Sequence, residues 1–239
     1  MAPADSQGRW EGDAADRVPS LMRIAILGWG SLIWCPRELS LKTRWRRDGP
    51  SLPIEFARRS KGDRVTLVLV PWDWVNPTTT YWAISDEPDL SKACENLMNR
   101  EGTKPRHIHF TTREESGTYR NETRDAKSPD VTKLVQAWMA GKRVDAAVWT
   151  GLPRDGFDAA DRDGLTSQVV EYLKGLEGDA RDRAEEYVRF APPSVRTHIR
   201  TQIEQELEWK SKPLPKHLYS WKMPTARDLL ERLLPRRND

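Results

Sequence analysis

Apolar residues follow two rhythms along this chain. Over residues 21–153 they come in short runs, each closed by Gly, Pro or Asp, the signature of strands and turns. From 154 onward they recur at helical spacing. The first run, Ile24-Ala25-Ile26-Leu27, predicts a buried strand over 23–27 that empties into Gly28-Trp29-Gly30-Ser31-Leu32-Ile33-Trp34. Strand character around Ile54 and Phe56 in 51–60, a turn at Gly62-Asp63 and a β-rich run over 64–70 predict a hairpin. A strand over 78–84 follows, then a helix over 89–100 introduced by Pro88. Strands over 106–112 and 145–150 flank a polar loop, 113–129, and a helix, 131–141, that stops at Gly141. Residues 36–39 read as a turn, and Arg44-Trp45-Arg46-Arg47 as either a half-buried strand or a solvated basic loop.

The second half predicts helices over 165–176, 180–190 and 194–209, with Ser194 as the N-cap of the last, and a short one carrying Leu229, Leu230, Leu233 and Leu234. Val195, Ile199, Ile203 and Leu207 form an apolar stripe that packs on this chain or on another. Residues 1–20, poor in apolar positions, read as a disordered leader. The element order predicts an α+β domain with a mixed or antiparallel sheet, followed by a helical extension over 154–239.

Composition narrows the class. The 239 residues carry 31% charged and 37% hydrophobic positions and a formal charge of +3, as in a globular protein too weakly basic to argue for nucleic-acid binding. Two cysteines, Cys35 and Cys94, make no disulfide framework, and no apolar stretch approaches a membrane span or a signal segment. The expected location is cytoplasmic.

Candidate chemistry concentrates in two places. Glycines at 28 and 30 allow positive φ and close approach to a ligand, and successive N–H groups there can form an anion-binding nest. On the helix over 89–100, Leu90, Cys94 and Leu97 share one face with Ala93 beside them, and Glu101 continues it. That carboxylate either enters the protein, placed for proton transfer, or frays outward to pair with Arg100 or Lys104. Arg58 either reaches a substrate carboxylate or lies on a solvated edge with Arg59. Trp72-Asp73-Trp74 reads as a hydrophobic plug or a ligand lid. His107 and His109 would share a strand face, without further ligands at metal spacing. Cys35 near the loop is a packing or a reactive thiol, and Ser31 lacks a His and acid partner for nucleophilic work. The loop is no dinucleotide fingerprint, because Ile33 stands where a third glycine is needed, and no Gly-Lys-Ser/Thr follows.

Gly28-Trp29-Gly30-Ser31-Leu32-Ile33-Trp34 resembles the Tyr-Gly-Ser-Leu loop after the first strand of γ-glutamylcyclotransferase-like proteins, including ChaC-type enzymes. Asn99-Arg100-Glu101-Gly102 resembles the place of that family's single catalytic glutamate, here 71 residues after Gly30. The resemblance covers about residues 23–112, extending toward 150. It implies a small barrel over 21–153 and cyclisation of a γ-glutamyl group to 5-oxoproline with release of an amine. Glu101 would move the protons without metal or cofactor, and Gly28, Trp29, Gly30, Ser31, Leu32 and Arg58 would hold the substrate. Glutathione, a γ-glutamyl amine, a γ-glutamyl-protected intermediate and a modified protein all fit. Trp29 departs from the family's Tyr, and the region from 155 onward is additional to a minimal domain. The alternative is a non-catalytic interaction protein whose basic patches at 44–47, 58–61 and 235–237 meet an acidic partner or RNA; their dispersal among acids counts against nucleic acid.

Overall fold

The computed structural model describes residues 22–70, 73–118 and 129–213. The expected leader, Trp72 and the leucine-rich segment near 230 lie outside these residues. The elements in chain order are β1 (Ile24–Gly28), β2 (Ser51–Leu52), β3 (Ile54–Arg59), β4 (Val65–Leu69), β5 (Thr78–Thr79), β6 (Tyr81–Ile84) and α1 (Leu90–Glu101). There follow β7 (Ile108–Thr112), β8 (Ser116–Thr118), α2 (Pro129–Ala140), β9 (Ala146–Thr150), α3 (Arg162–Lys174), α4 (Gly178–Phe190) and α5 (His198–Glu206). The class is α+β.

The main sheet has the order β6-β1-β9-β7-β8, with β1 parallel to β9 and every other pair antiparallel. It separates two apolar layers. Ile24 and Ile26 of β1 face one with α1, and Ala25 and Leu27 face the other with the β3–β4 hairpin and the C-terminal helices. Burial on both faces is why β1 shows no apolar–polar alternation.

The hairpin forms as the spacing predicts, turning where Gly62 (φ 81°) and Asp63 (φ 63°) both adopt left-handed backbone. The closed barrel does not form among the described residues. The sheets stay separate as one of five strands and two ribbons, β2–β5 and β3–β4. Pro53, which has no N–H, divides β2 from β3. At Thr80, between β5 and β6, the backbone bonds to Gly49 and Pro50 instead of continuing a ladder. A register shift between Phe56 and Arg58 bends the hairpin further.

Two local expectations also fail. Part of the polar segment 113–129 is strand: β8 pairs on the sheet edge with Thr111 opposite Ser116, where polar side chains suit solvent. The last helix starts later than predicted, because Thr197, not Ser194, caps it by accepting from Arg200 N at 3.2 Å. Ser194 bonds Tyr81 Oη at 2.9 Å instead. Val195, Ile199 and Ile203 are fully buried against this chain's own core, so the stripe is used internally. The buried Arg200 guanidinium donates to the carbonyls of Pro192, Val195 and Ala191, fastening the end of α4 to α5. Among the described residues no helix is long and apolar enough to cross a membrane.

Candidate functional site

At the end of β1 the chain turns sharply, with Ile33 N donating to Gly30 O at 3.1 Å and Cys35 N to Ser31 O at 2.8 Å. The glycines are not there for positive φ, contrary to the sequence reading; neither adopts it. They are there because neighbours crowd the backbone. A Cβ on Gly28 would lie 2.9 Å from the Trp45 ring, and one on Gly30 only 2.5 Å from the Tyr187 hydroxyl. Gly30, Ser31 and Leu32, whose N–H groups meet no acceptor among the described residues, border a cleft of ≈ 250 Å³. Trp29 is buried and donates from Nε1 to Leu67 O at 3.3 Å, tying the loop to β4. Leu32 is buried in the α1 layer.

Glu101 opens onto the same cleft. Asp89 starts α1 by accepting from Lys92 N at 2.9 Å, and Gly102 ends it at φ 58°. Ala93, Cys94 and Leu97 of that helix are buried, so its register delivers residues 100 and 101 to the mouth of the loop. Both sequence alternatives hold in part: Glu101 pairs with Arg100, and the pair sits at the cleft. Arg100 Nη1 donates to Glu101 Oε1 at 2.8 Å, while Nη2 donates to Ser31 Oγ at 3.2 Å and to Cys35 O at 2.6 Å. The arginine side chain is 5% exposed and the glutamate side chain 15%. One buried guanidinium therefore fixes one carboxylate oxygen and the loop together, and Oε2 accepts nothing else among the described residues.

Arg58 also borders the cleft, but its Nη1 donates to Pro153 O at 2.8 Å and lies 3.7 Å from Asp155 Oδ2. Of the seven residues singled out for the site, Trp29, Gly30, Ser31, Leu32, Arg58 and Glu101 line this one cleft; Gly28 stands behind them, under Trp45.

The sequence reading missed Arg100 as more than a surface partner, and it missed Tyr187. Tyr187 reaches the cleft from α4, its ring edge-on to Trp34 (centroids 5.3 Å apart) and Phe56 (6.3 Å). Its hydroxyl accepts from Leu67 N at 3.4 Å and gives its own proton to no acceptor among the described residues. Burial pushes this phenol up to about 12, with the Glu101 charge adding to the effect, so the group is a hydrogen-bond donor at any ordinary pH. A tyrosine on the apolar face of α4, beside Ala184 and Val188, is the only signal the sequence carries for it.

The other candidates lie elsewhere. His107 sits in a 3₁₀ turn, Pro105–His107, not on the strand, and its Nδ1 pairs with Thr103 Oγ1 at 2.8 Å. Burial, then the charge of Arg106, holds its pKa below the usual histidine value. His109 stacks on Trp149 over Gly151, so the two imidazoles share no ligand position. Cys35 is exposed and lends its carbonyl to Arg100; the Cys94 thiol is buried and pushed up to about 12. Trp74 donates to Ala160 O at 3.1 Å and packs, partly buried, on the larger core.

Trp74 also borders a second cavity of ≈ 210 Å³ beside Glu55. The Glu55 carboxyl is 1% exposed and accepts from Phe56 N at 2.8 Å and Ile199 N at 3.2 Å, at the start of α5. Burial pushes it up to about 7.

Compared with family models, curated proteins and solved structures, the chain matches none.

Proposed function

We propose that the cleft cyclises a γ-glutamyl group to 5-oxoproline and releases the attached amine, with Glu101 moving the protons. One observation carries this reading. A carboxylate held on one oxygen by a buried arginine faces a turn whose N–H groups are unspent, across a cleft the size of a small molecule.

The chemistry needs little more. The α-nitrogen attacks the γ-carbonyl carbon, a new C–N bond closes the five-membered lactam, and the old amide C–N bond breaks. The α-ammonium gives up two protons in becoming the lactam N–H, and the leaving nitrogen gains two in becoming an ammonium. Glu101 Oε2 accepts one proton from the attacking nitrogen and returns it to the leaving one; the other passes from the α-ammonium to solvent before attack, and the released amine takes one up from solvent. The unspent N–H groups of Gly30, Ser31 and Leu32 and the Tyr187 hydroxyl are donors for the substrate carboxylate and for the oxyanion that develops on the γ-carbonyl. Both reacting groups belong to one molecule, so positioning supplies much of the acceleration. Cys35 and Cys94 are free thiols, which suits the cytoplasmic setting that belongs to this reading.

The test is to incubate the protein with γ-glutamyl dipeptides, glutathione and γ-glutamyl amines and to measure 5-oxoproline by mass spectrometry. Release that Glu101→Gln abolishes supports the reading. A second reading, a binding module for an acidic partner or RNA, draws on the cationic residues around the cleft. Salt-sensitive RNA binding with no 5-oxoproline from any compound would favour it.

A further inference from the structure

The charge lining the cleft exceeds what a γ-glutamyl group can use. Among the described residues five cationic side chains border it, Arg37, Arg58, Lys61, Arg64 and Arg100, against one carboxylate, Glu101. Arg100 is matched by Glu101, and Arg58 faces Asp155. The other nearby acid, Asp63, is engaged by Arg59 and by the Tyr172 hydroxyl. Arg37, Lys61 and Arg64 form no ion pair among the described residues. The γ-glutamyl group carries one ammonium and one carboxylate, so it is neutral overall and leaves this surplus in place.

Two features mark the surplus as built in. Arg64 lies on the hairpin with its Nε buried and unpartnered among the described residues, and its charge is felt at the Tyr187 hydroxyl. Arg64 Nη2 donates to Lys61 O at 3.4 Å, which holds these two cationic residues side by side. Arg37 is held at φ 53°, a left-handed backbone that strains any residue with a Cβ by about 1–2 kcal/mol. Leu39 N closes the turn that carries Arg37 by donating to Pro36 O at 3.1 Å.

Resting on the cyclisation reading, we propose that Arg37, Lys61 and Arg64 form a subsite for the leaving portion of the substrate, and that this portion carries at least two negative charges. The substrate is then a γ-glutamyl conjugate of an acidic amine, bearing two carboxylates or a phosphate. A γ-glutamyl conjugate of a cationic amine is disfavoured by the same charges. Attraction of this kind acts on both encounter and binding, and it weakens with salt. The place in metabolism follows from the chemistry: a reaction that joins the γ-carboxyl of glutamate to an acidic amine, by ligation or by γ-glutamyl transfer, must supply the substrate.

The experiment compares kcat/KM for 5-oxoproline release from four γ-glutamyl conjugates at low salt. They are those of glutamate, of phosphoethanolamine, of neutral ethylamine and of the cationic diamine putrescine. The two dianionic conjugates should exceed the ethylamide by about tenfold or more, one step of 1.4 kcal/mol in transition-state binding, and the putrescine conjugate should fall below it. Which of the first two leads identifies carboxylate or phosphate as the preferred group. The preference should shrink steeply with added salt. Arg37→Gln/Lys61→Gln, both at exposed positions, should cut the ratio of dianionic to ethylamide turnover several-fold while the melting temperature holds. Equal turnover of all four conjugates, or a ratio unmoved in that variant, overturns the subsite and leaves the cyclisation standing. No 5-oxoproline from any conjugate overturns the cyclisation, and the subsite with it.

Discussion

Gly30 and Tyr187 meet so closely that a single carbon added to the glycine would stand 2.5 Å from the tyrosine hydroxyl. The contact joins the first loop of the sheet to a helix of the C-terminal region. The ring cannot retreat, since Trp34 and Phe56 hold it edge-on and Leu67 N bonds its oxygen. Gly30→Ala should therefore destabilise the protein by about 1–3 kcal/mol, as overpacking does. In Gly30→Ala/Tyr187→Phe the offending oxygen is gone, and the next ring atom stands 3.6 Å away, an ordinary contact. Chemical denaturation of both single variants and the double should show a smaller loss in the double than the singles sum to.

Arg100 fixes three partners at once, and lysine cannot reproduce its planar fork. In Arg100→Lys the Glu101 carboxylate loses its orientation relative to the loop. Steady-state kinetics on any compound that yields 5-oxoproline should show kcat down by about 10- to 100-fold, with KM moved less.

The buried Trp29 spends its indole N–H on Leu67 O at 3.3 Å. Trp29→Phe leaves that carbonyl in the core without its donor. Thermal melting should register a loss of about 1–3 kcal/mol. A variant as stable as the parent would mean that the bond contributes nothing.

Glu55 makes stability depend on pH in the direction opposite to most carboxylates. Burial raises its folded pKa from the ordinary 4.5 to about 7, so the folded protein keeps a proton that the unfolded chain gives up. The contribution is fully present below about pH 4.5, declines as pH rises and is gone above about pH 7. Its size is roughly 3 kcal/mol, taken from the width of that window. Arg196 and His198 share the cavity with it, but the groups that bond the carboxylate are backbone N–H groups and Thr197. Urea unfolding at pH 5 and pH 8 should show the parent weakening at the higher pH and Glu55→Gln losing that slope.

What could be read in advance follows from the range of the interactions. The apolar run at 24–27, the face Leu90–Cys94–Leu97 and the turn at Gly62-Asp63 are local patterns, and each gave its element in place. Glu101 was legible because helical spacing carries Leu97 to it. Tyr187 and Glu55 were not, because their roles come from partners far along the chain: Leu67 for the first, Ile199 for the second. The barrel failed for a related reason. Strand propensity marks segments, but closure depends on which edges meet, and Pro53 and the bonds of Thr80 interrupt them. The role of the glycines at 28 and 30 was misread because steric crowding from Trp45 and Tyr187 is invisible in a loop sequence.

The span between Leu67 and Tyr187, 120 residues, sets the order in which this cleft can come into being. A bond of such high contact order forms only after α4 has been synthesised and docked, so a growing chain holding the loop and Glu101 still lacks one wall. Docking of α4 thus works as a checkpoint on assembly. Because Ala184, Tyr187 and Val188 share one core with Leu27 and Trp149 of the central sheet, peeling α4 away would open the cleft and uncover that core together.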